Sequence, residues 1–350
     1  MEPLKLDRID QKILDILDRN SRLSFAAIGK EIRLGSDIVE YRIKKYIEIG
    51  LIKRFSAVLN VSLLGENVYK IYIKHRLSDK EKIKLVNYVD NHSHVYRLME
   101  GGGCWDLQLS FLAKNPQEFS AAAAKVLNQF SGKILEQSVS VTVRSYNFSK
   151  KYLSLGDLKK LPSKLSGSQG VKAKNSKYKS SKQSRKINTN NLENKVLELA
   201  EIDFKLIGAM MHNARTPLTK LVENIELTSA GIDYRLKRLE SLEIILGYQT
   251  QIDVTVIGYM FAKIFIEAKF MGDEEFKRLY EFCSVDRNVI VLVESIGRFQ
   301  YEIQVQVRDH RELQDIIDRL RDNFNDVIGR IESMIYSRDY YHRLPKKFYS

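Results

Sequence analysis

Apolar residues recur through the first fifty positions at the spacing of helices, and then the pattern changes to strict alternation. Ile9, Ile13, Ile16 and Leu17 form one stripe and predict a first helix over residues 7–19. Ser24 is placed to cap a second helix over residues 25–31 that buries Phe25, Ile28 and Ile32. After a turn ending at Leu34, Val39, Ile43 and Tyr46 recur at i, i+4 and i+7, so a third helix starts near a capping Ser36. Gly50-Leu51-Ile52 ends it and opens an extended segment through Leu59, read as a wing or connecting strand. From Val68 the period is two: Val68, Lys70, Tyr72 and Lys74 share one face, and Tyr69, Ile71 and Ile73 the other. A helix over 79–91, strands over 95–99 and 105–113, a helix over 117–130 and a strand over 134–146 follow. That order, βαββαβ, is the ferredoxin-like arrangement.

The whole pattern then repeats. At a constant offset of 193, Ile9, Asp10, Asn20, Arg22, Leu34, Ser36, Tyr41, Arg42, Lys44 and Gly65 meet identical residues between Ile202 and Gly258. One inserted residue later, Glu100, Gly103, Phe130, Arg144 and Tyr146 meet Glu294, Gly297, Phe324, Arg338 and Tyr340. In the second copy Ile232, Leu236 and Leu239 repeat the recognition-helix stripe behind Thr228 or Ser229 as cap, and Pro217 suits a helix's first turn. Its βαββαβ elements fall at 259–269, 273–283, 289–295, 299–307, 311–324 and 328–340. The expected fold class is therefore α+β, two tandem lobes, each a winged helix-turn-helix followed by a ferredoxin-like βαββαβ domain. The boundaries are 1–60 and 61–153 for the first lobe, 154–192 for a linker, and 193–253 and 254–345 for the second lobe.

Composition adds three things. No apolar run approaches the roughly 18 residues of a membrane span, and the charged start lacks a signal-peptide core, so the expectation is a cytoplasmic protein with no membrane partner. The net charge of +13 suits a polyanion, but its distribution matters more: +7 over residues 1–150, +10 over 151–190 and −4 over 191–350. The linker, rich in Ser, Lys, Asn and Gly, reads as disordered; a flexible coil of that length spans roughly 35 Å, enough for the lobes to meet. The expected assembly is an intrachain pseudo-dimer of the two sheets, with a higher homo-oligomer beyond it, and rows such as Ile71 and Ile73 against Ile264 and Ile266 are candidates for core or interface. Finally, Cys104 and Cys283 are not equivalent in the repeat, so neither a disulfide framework nor a zinc site is supported.

The chemistry sits on the third helix of each lobe. Two helices precede it, the order a helix-turn-helix needs, and its outer face carries residue types that reach phosphates and base edges. The candidate set for double-stranded DNA is Arg33, Ser36, Asp37, Glu40, Tyr41, Arg42, Lys44, Lys45, Lys53 and Arg54 in lobe 1. In lobe 2 it is Ser229, Asp233, Tyr234, Arg235, Lys237 and Arg238. The structural alternative is a headpiece kept only to dimerise. Lobe 1's headpiece, residues 7–58, has 11 basic against 8 acidic residues, whereas residues 200–251 have 6 against 7, which makes lobe 2 the weaker binder.

LDRIDQKILDIL from Leu6, LGSDIVEYRIKKYIEIGLI from Leu34, the run AVLNVSLLG ending at Gly65 and Gly103-Cys104-Trp105-Asp106 together resemble the Lrp/AsnC (feast/famine) family of transcription regulators. In lobe 2 the resemblance rests on AEIDFKLIGAM from Ala200, RLKRL from Arg235 and Gly297-Arg298-Phe299-Gln300. It implies DNA binding, pairing of the βαββαβ sheets, and an amino acid or similar small effector near the glycine turn. The effector candidates are Gly101, Gly102, Gly103 and Asp106, with Gly297 and Gln300 in lobe 2; glycine-bared N–H groups would hold a carboxylate and Asp106 an ammonium. The plain alternative for the glycines is a tight turn. Most members have one lobe per chain, and this chain departs by fusing two. His92 and His94 lack further ligands at metal spacing, so no metal is expected. His94-Val95-Tyr96-Arg97 and GLIKRFSAVLN from Gly50 are similar to the siroheme decarboxylases, which share this architecture. The reading adopted is a regulator, not an enzyme, with no catalytic residues and no cofactor.

Overall fold

A computed structural model describes residues 2–153, 185–187, 199–342 except 224, and 344, 345 and 348. Lobe 1 runs α1 (Arg8–Arg19), α2 (Phe25–Ile32), α3 (Ser36–Glu48), β1 (Ile52–Leu59), β2 (Asn67–His75), α4 (Asp79–Asp90), β3 (Val95–Gly103), β4 (Leu107–Ala113), α5 (Pro116–Asn128) and β5 (Ile134–Asn147). A short strand, β6 (Arg185–Ile187), precedes lobe 2, whose order is α6 (Glu201–His212), α7 (Leu218–Val222), α8 (Ser229–Ser241), β7 (Ile245–Ile252), β8 (Met260–Ala268), α9 (Asp273–Val285), β9 (Val289–Gly297), β10 (Tyr301–Val307), α10 (His310–Phe324) and β11 (Ile328–His342). The protein is α+β, with two tandem lobes of one architecture. The expected disordered linker lies outside the described residues except for β6, which pairs with Ser145–Asn147 instead of being unstructured.

Local chemistry explains where the headpiece helices start. Asp7 accepts the Asp10 N–H at 2.7 Å while Asp10 accepts the Asp7 N–H at 3.0 Å, a reciprocal cap on α1. Ser24 Oγ accepts the Ala27 N–H at 3.1 Å and caps α2. Ser36 does not cap α3: Gly35 stands at the cap position and Ser36 is the first helical residue. In lobe 2 Thr228 caps α8 through the Gly231 N–H, and Ser229 lies inside the helix.

Of the two readings of the segment after α3, a wing or a connecting strand, the pairing favours the second. β1 does not fold back on its own headpiece but pairs antiparallel with β7 of the other lobe, with Ser56 opposite Gln249. The ribbon ties the two headpieces together, and one apolar core runs through both, joining Ile13, Ile28 and Ile43 to Met210, Leu221 and Leu236.

The two four-stranded sheets meet at both edges. Within each lobe the strand order is the ferredoxin-like one, β5-β2-β4-β3 and β11-β8-β10-β9. β3 then pairs with β11 and β9 with β5, so eight strands close into a barrel with four from each lobe. Closure leaves no bare edge in either sheet. Helices cover the outside, and Ile71 and Ile73, like Ile264 and Ile266, point outward into the cores beneath them. They are core and not the lobe interface.

The barrel interior holds the opposite row, with Tyr72, Met99, Trp105, Phe265, Phe299, Met334 and Tyr336 at its centre. It also holds charge. Glu302 Oε2 accepts from Lys70 Nζ at 2.7 Å and from Lys263 Nζ at 2.9 Å, and all three residues are buried. Lys263 Nζ reaches Tyr72 Oη at 2.8 Å and Gln108 Oε1 at 2.9 Å as well. Burial, together with the nearby Lys70, lowers Lys263 to about 7 despite the pull of Glu302.

Candidate nucleic-acid interface

The ribbon and shared core fix α3 and α8 relative to one another, so the two recognition helices are presented as one unit. Val39, Ile43 and Tyr46 are buried under α3, and Ile232, Leu236 and Leu239 under α8, which turns the opposite faces outward. Tyr41 is 66% exposed and its equivalent Tyr234 70%, both with the ring in solvent. Lys44, Lys45, Lys237 and Arg238 are exposed beside them, as are Ser36 and Asp37 at the start of α3.

The lysines carry partners on their own helices. Lys44 lies 2.9 Å from Glu40 and Lys237 2.6 Å from Asp233, both at i,i+4. Exposed pairs of this kind contribute little, so a phosphate can displace the carboxylate. A freed Glu40 or Asp233 then suits a cytosine amino group. Ser229 sits half-buried on the first turn of α8.

Four expected DNA contacts are engaged elsewhere. Arg42 Nη1 holds Asp7 at 2.8 Å and also contacts Asp10, which in turn accepts the Tyr46 hydroxyl at 2.5 Å. Arg235 makes the matching bond to Asp203 at 2.8 Å. These arginines clamp each recognition helix to its lobe's first helix and are not on the outer face. Lys53 pairs with Asp253 at 3.0 Å, and Arg54 Nε donates to Gln251 at 2.7 Å, so both brace the ribbon between lobes. Arg33 is exposed, in the left-handed region at φ 61°, where it ends α2.

Sequence reasoning missed Ile38. It lies one position before the buried stripe and is 42% exposed on α3, three residues from Tyr41. Its equivalent at the repeat offset is Gly231, so only lobe 1 adds an apolar side chain there. An apolar residue off the stripe was the available signal.

The effector candidates have structural duties. Gly101–Gly103 are neither a tight turn nor an anion nest; they end β3 where it pairs with β11. A Cβ on Gly101 would lie 2.3 Å from Ile335 O, and one on Gly103 2.4 Å from Ser333 O, so glycine lets the two lobes' strands approach. Gly102 faces open space. A Cβ on Gly297 would lie 2.5 Å from Val139 O, so it permits the same close approach as Gly101 and Gly103. Asp106 accepts the His75 N–H at 3.0 Å and Lys74 at 2.9 Å, while Gln300 Oε1 accepts the equivalent Ala268 N–H at 2.9 Å. Both side chains brace a hairpin.

His94 Nε2 lies 2.9 Å from Glu118, and Arg97 binds Asp339 of lobe 2 at 2.8 Å. Burial and the neighbouring His94 hold His92 down at about 4. Among the described residues no group of three or more His, Cys, Asp or Glu is placed to hold a metal. Among them, too, no helix is long and apolar enough to cross a membrane.

Comparison with known proteins agrees with this geometry. Residues 6–47 match the model of the AsnC-type helix-turn-helix domain. The chain is 32% identical over 118 residues to the HTH-type transcriptional regulator FL11 of Pyrococcus furiosus, which covers 33% of this chain and 76% of that protein. It is 31% identical over 109 residues to the HTH-type transcriptional regulator LrpA of Bacillus subtilis, covering 30% and 79%. Among solved structures, the siroheme decarboxylase NirDL superposes over 98% of this chain and 96% of its own with a TM-score of 0.59, at 10% identity. At that identity the likeness shows the fold alone. It nevertheless overturns the expectation that the chain is not an enzyme, because a protein of this two-lobe architecture from end to end is one.

Proposed function

The chain belongs to the Lrp/AsnC family of transcription regulators, with two copies of the family's architecture in tandem, and from that premise we propose that it is a DNA-binding regulator that engages double-stranded DNA with both recognition helices of one chain. The observation that supports this best is the pair of outward faces. α3 and α8 present Tyr41 with Lys44 and Lys45, and Tyr234 with Lys237 and Arg238, at matching places on headpieces joined by the β1–β7 ribbon. A single chain thus offers the two-helix arrangement that dimeric helix-turn-helix proteins use on paired half-sites.

Genomic selection of bound fragments, followed by gel shift at stated salt, tests the reading. Replacing Lys44, Lys45, Lys237 and Arg238 with Ala should abolish specific shifts while leaving the fold intact. Each lost phosphate contact should flatten the salt slope by roughly 0.9. No retained fragment from the wild-type chain would defeat the proposal. Incubating the same preparation with siroheme and assaying released CO2 tests whether the shared architecture carries the decarboxylase chemistry.

A further inference from the structure

Between the headpieces, the turns after α1 and after α6 face each other across the axis that relates the lobes. They line an open cavity of about 270 Å³ with Arg22, Ser24 and Phe25 from lobe 1 and Arg215, Thr216 and Leu218 from lobe 2. Arg22 and Arg215 are the same position of the repeat. Each crosses to the other lobe's ribbon strand: Arg22 stands 4.9 Å over the Tyr248 ring, and Arg215 stands 5.4 Å over Phe55 and 4.6 Å over Phe25.

The two guanidiniums are short of acceptors and lack counter-charge. Arg215 Nη1 donates to Ser21 O at 2.7 Å and Leu23 O at 2.8 Å. Arg22 Nη1 meets the weak sulfur acceptor of Met210, at 3.1 Å, and its guanidinium also donates to the Tyr248 hydroxyl. Two side chains with about ten N–H donors therefore have four acceptors between them among the described residues. No carboxylate pairs directly with either one among the described residues, whereas the half-buried Arg42 and Arg235 of the same headpieces each have one. Burial lowers the pKa of Arg215 and nearby Arg22 lowers it further, so each cation is the other's charged neighbour.

We propose that this cavity is an anion seat shared by the two headpieces, and that its ligand is a phosphate group. Two guanidinium forks from opposite walls match a tetrahedral, doubly charged oxyanion better than a planar monoanion, because each fork takes two oxygens. The Ser24 hydroxyl adds a donor: its oxygen accepts the Ala27 N–H as a cap, which leaves its own proton to give. Thr216 contributes none, since its hydroxyl already donates to Asn213 O at 2.8 Å. A volume of 270 Å³ holds on the order of nine waters, room for phosphate with part of its hydration shell. Because the walls come from both lobes, a bound phosphate neutralises the repulsion between Arg22 and Arg215 and stiffens the relation between the recognition helices. The seat does not depend on DNA binding being the function.

Phosphate of this chemistry comes from a free small molecule or from a nucleic-acid backbone, and the arms of one experiment separate them. The full chain is titrated with inorganic phosphate against chloride at fixed ionic strength, reading phosphorus NMR line width and melting temperature. A saturable broadening and a rise in melting temperature, both lost in Arg22→Gln/Arg215→Gln, are expected if the seat takes free phosphate. If the backbone is the source, inorganic phosphate gives little alone but competes with bound duplex, and the double variant has a salt slope flatter by about 0.9 to 1.8. The wild-type titration does not rely on the variant folding. A chain that neither responds to phosphate nor changes slope on losing both arginines overturns the seat, leaving them as cross-braces on Tyr248 and Phe55.

Discussion

At equivalent strand positions lobe 1 carries Gln108 and lobe 2 carries Glu302, and both reach into a barrel whose equivalent lysines, Lys70 and Lys263, are each buried. One carboxylate therefore serves two ammonium groups. Two copies of lobe 2 joined in this way would bring two Lys263 and two Glu302 together, a balanced set. Two copies of lobe 1 would bury two Lys70 against two neutral Gln108. Specificity commonly takes this form, a penalty on the wrong partner and not only a gain with the right one. The difference between the lobes thus explains why lobe 1 suits a partner other than itself, and why fusion in one chain goes with the loss of a symmetric interior.

The largest expected effect comes from breaking that asymmetry. Glu302→Gln leaves both lysines buried without counter-charge and should cost about 3–5 kcal/mol of stability by denaturant unfolding. Adding Gln108→Glu to it should recover a measurable part, because residue 108 already touches Lys263 at 2.9 Å. A single variant as stable as the wild type would show that the interior charge is not what the pairing depends on. The pH dependence sharpens the point. Lys263 is lowered to about 7 in the folded chain, while an unfolded lysine titrates near 10.4, so the unfolded state binds more protons between those values and stability rises with pH across that window. Lys263→Met removes the burden and leaves Lys70 alone on Glu302. Its advantage over the wild type should be full below pH 7 and fade towards pH 10.

A smaller effect separates clamp from contact. Arg42→Met and Arg235→Met each break an ion pair that joins a recognition helix to its lobe's first helix. Each should cost about 1–3 kcal/mol, the scale of a charged hydrogen bond lost from a half-buried site. The Arg235 variant should lose more, since it leaves Asp203, at 1% exposure, with the more distant Arg238 at 3.6 Å and the Ala200 N–H, whereas Asp10 keeps the Tyr46 hydroxyl at 2.5 Å. Neither should alter the salt slope of DNA binding beyond the fraction unfolded. A slope change at full folding would return these arginines to the DNA face.

The sequence carried the repeat and the element order, because hydrophobic period and self-comparison report which residues share a face, but the sheets it expected to cover each other's open faces join at their edges instead. It could not report which face is inside when both are buried. Lys70 and Tyr72 read only as sharing one face of an alternating strand, and closure of the barrel turns that row inward. Arg42 misled for a related reason. Its retention in both copies looked like a DNA contact, yet Asp10 and Asp203 are retained too, and that matched pair was the signal of an ion pair. The glycines of β3 were legible as a place needing no side chain, but what presses on them is a strand from the other lobe, more than two hundred residues away.

The smallest expected effect is the inequality of the two headpieces on DNA. Charge counts over the headpieces favour lobe 1, but part of that excess is engaged across the ribbon: Lys53 pairs with Asp253 and Arg54 with Gln251. What remains is Arg33, exposed at the end of α2, where lobe 2 has the exposed Glu226. Electrostatics dominate affinity for the phosphate backbone, so lobe 1 should keep an advantage, reduced to about one phosphate contact. The measurement is a pair of double variants, Lys44→Ala/Lys45→Ala against Lys237→Ala/Arg238→Ala, compared by salt-dependent binding to one duplex. Both pairs remove two exposed cations from matching turns; because Arg238 also lies 3.6 Å from the buried Asp203, the comparison is made at equal folded fraction, checked by thermal unfolding of each variant. Removing the lobe 1 pair should reduce affinity more, because the lysines there work beside Arg33 and those of lobe 2 beside Glu226. An added Arg33→Glu should then bring the lobes level. Equal losses before that change, or a greater loss from the lobe 2 pair, would mean that base contacts from Tyr234 and its neighbours outweigh the charge around them.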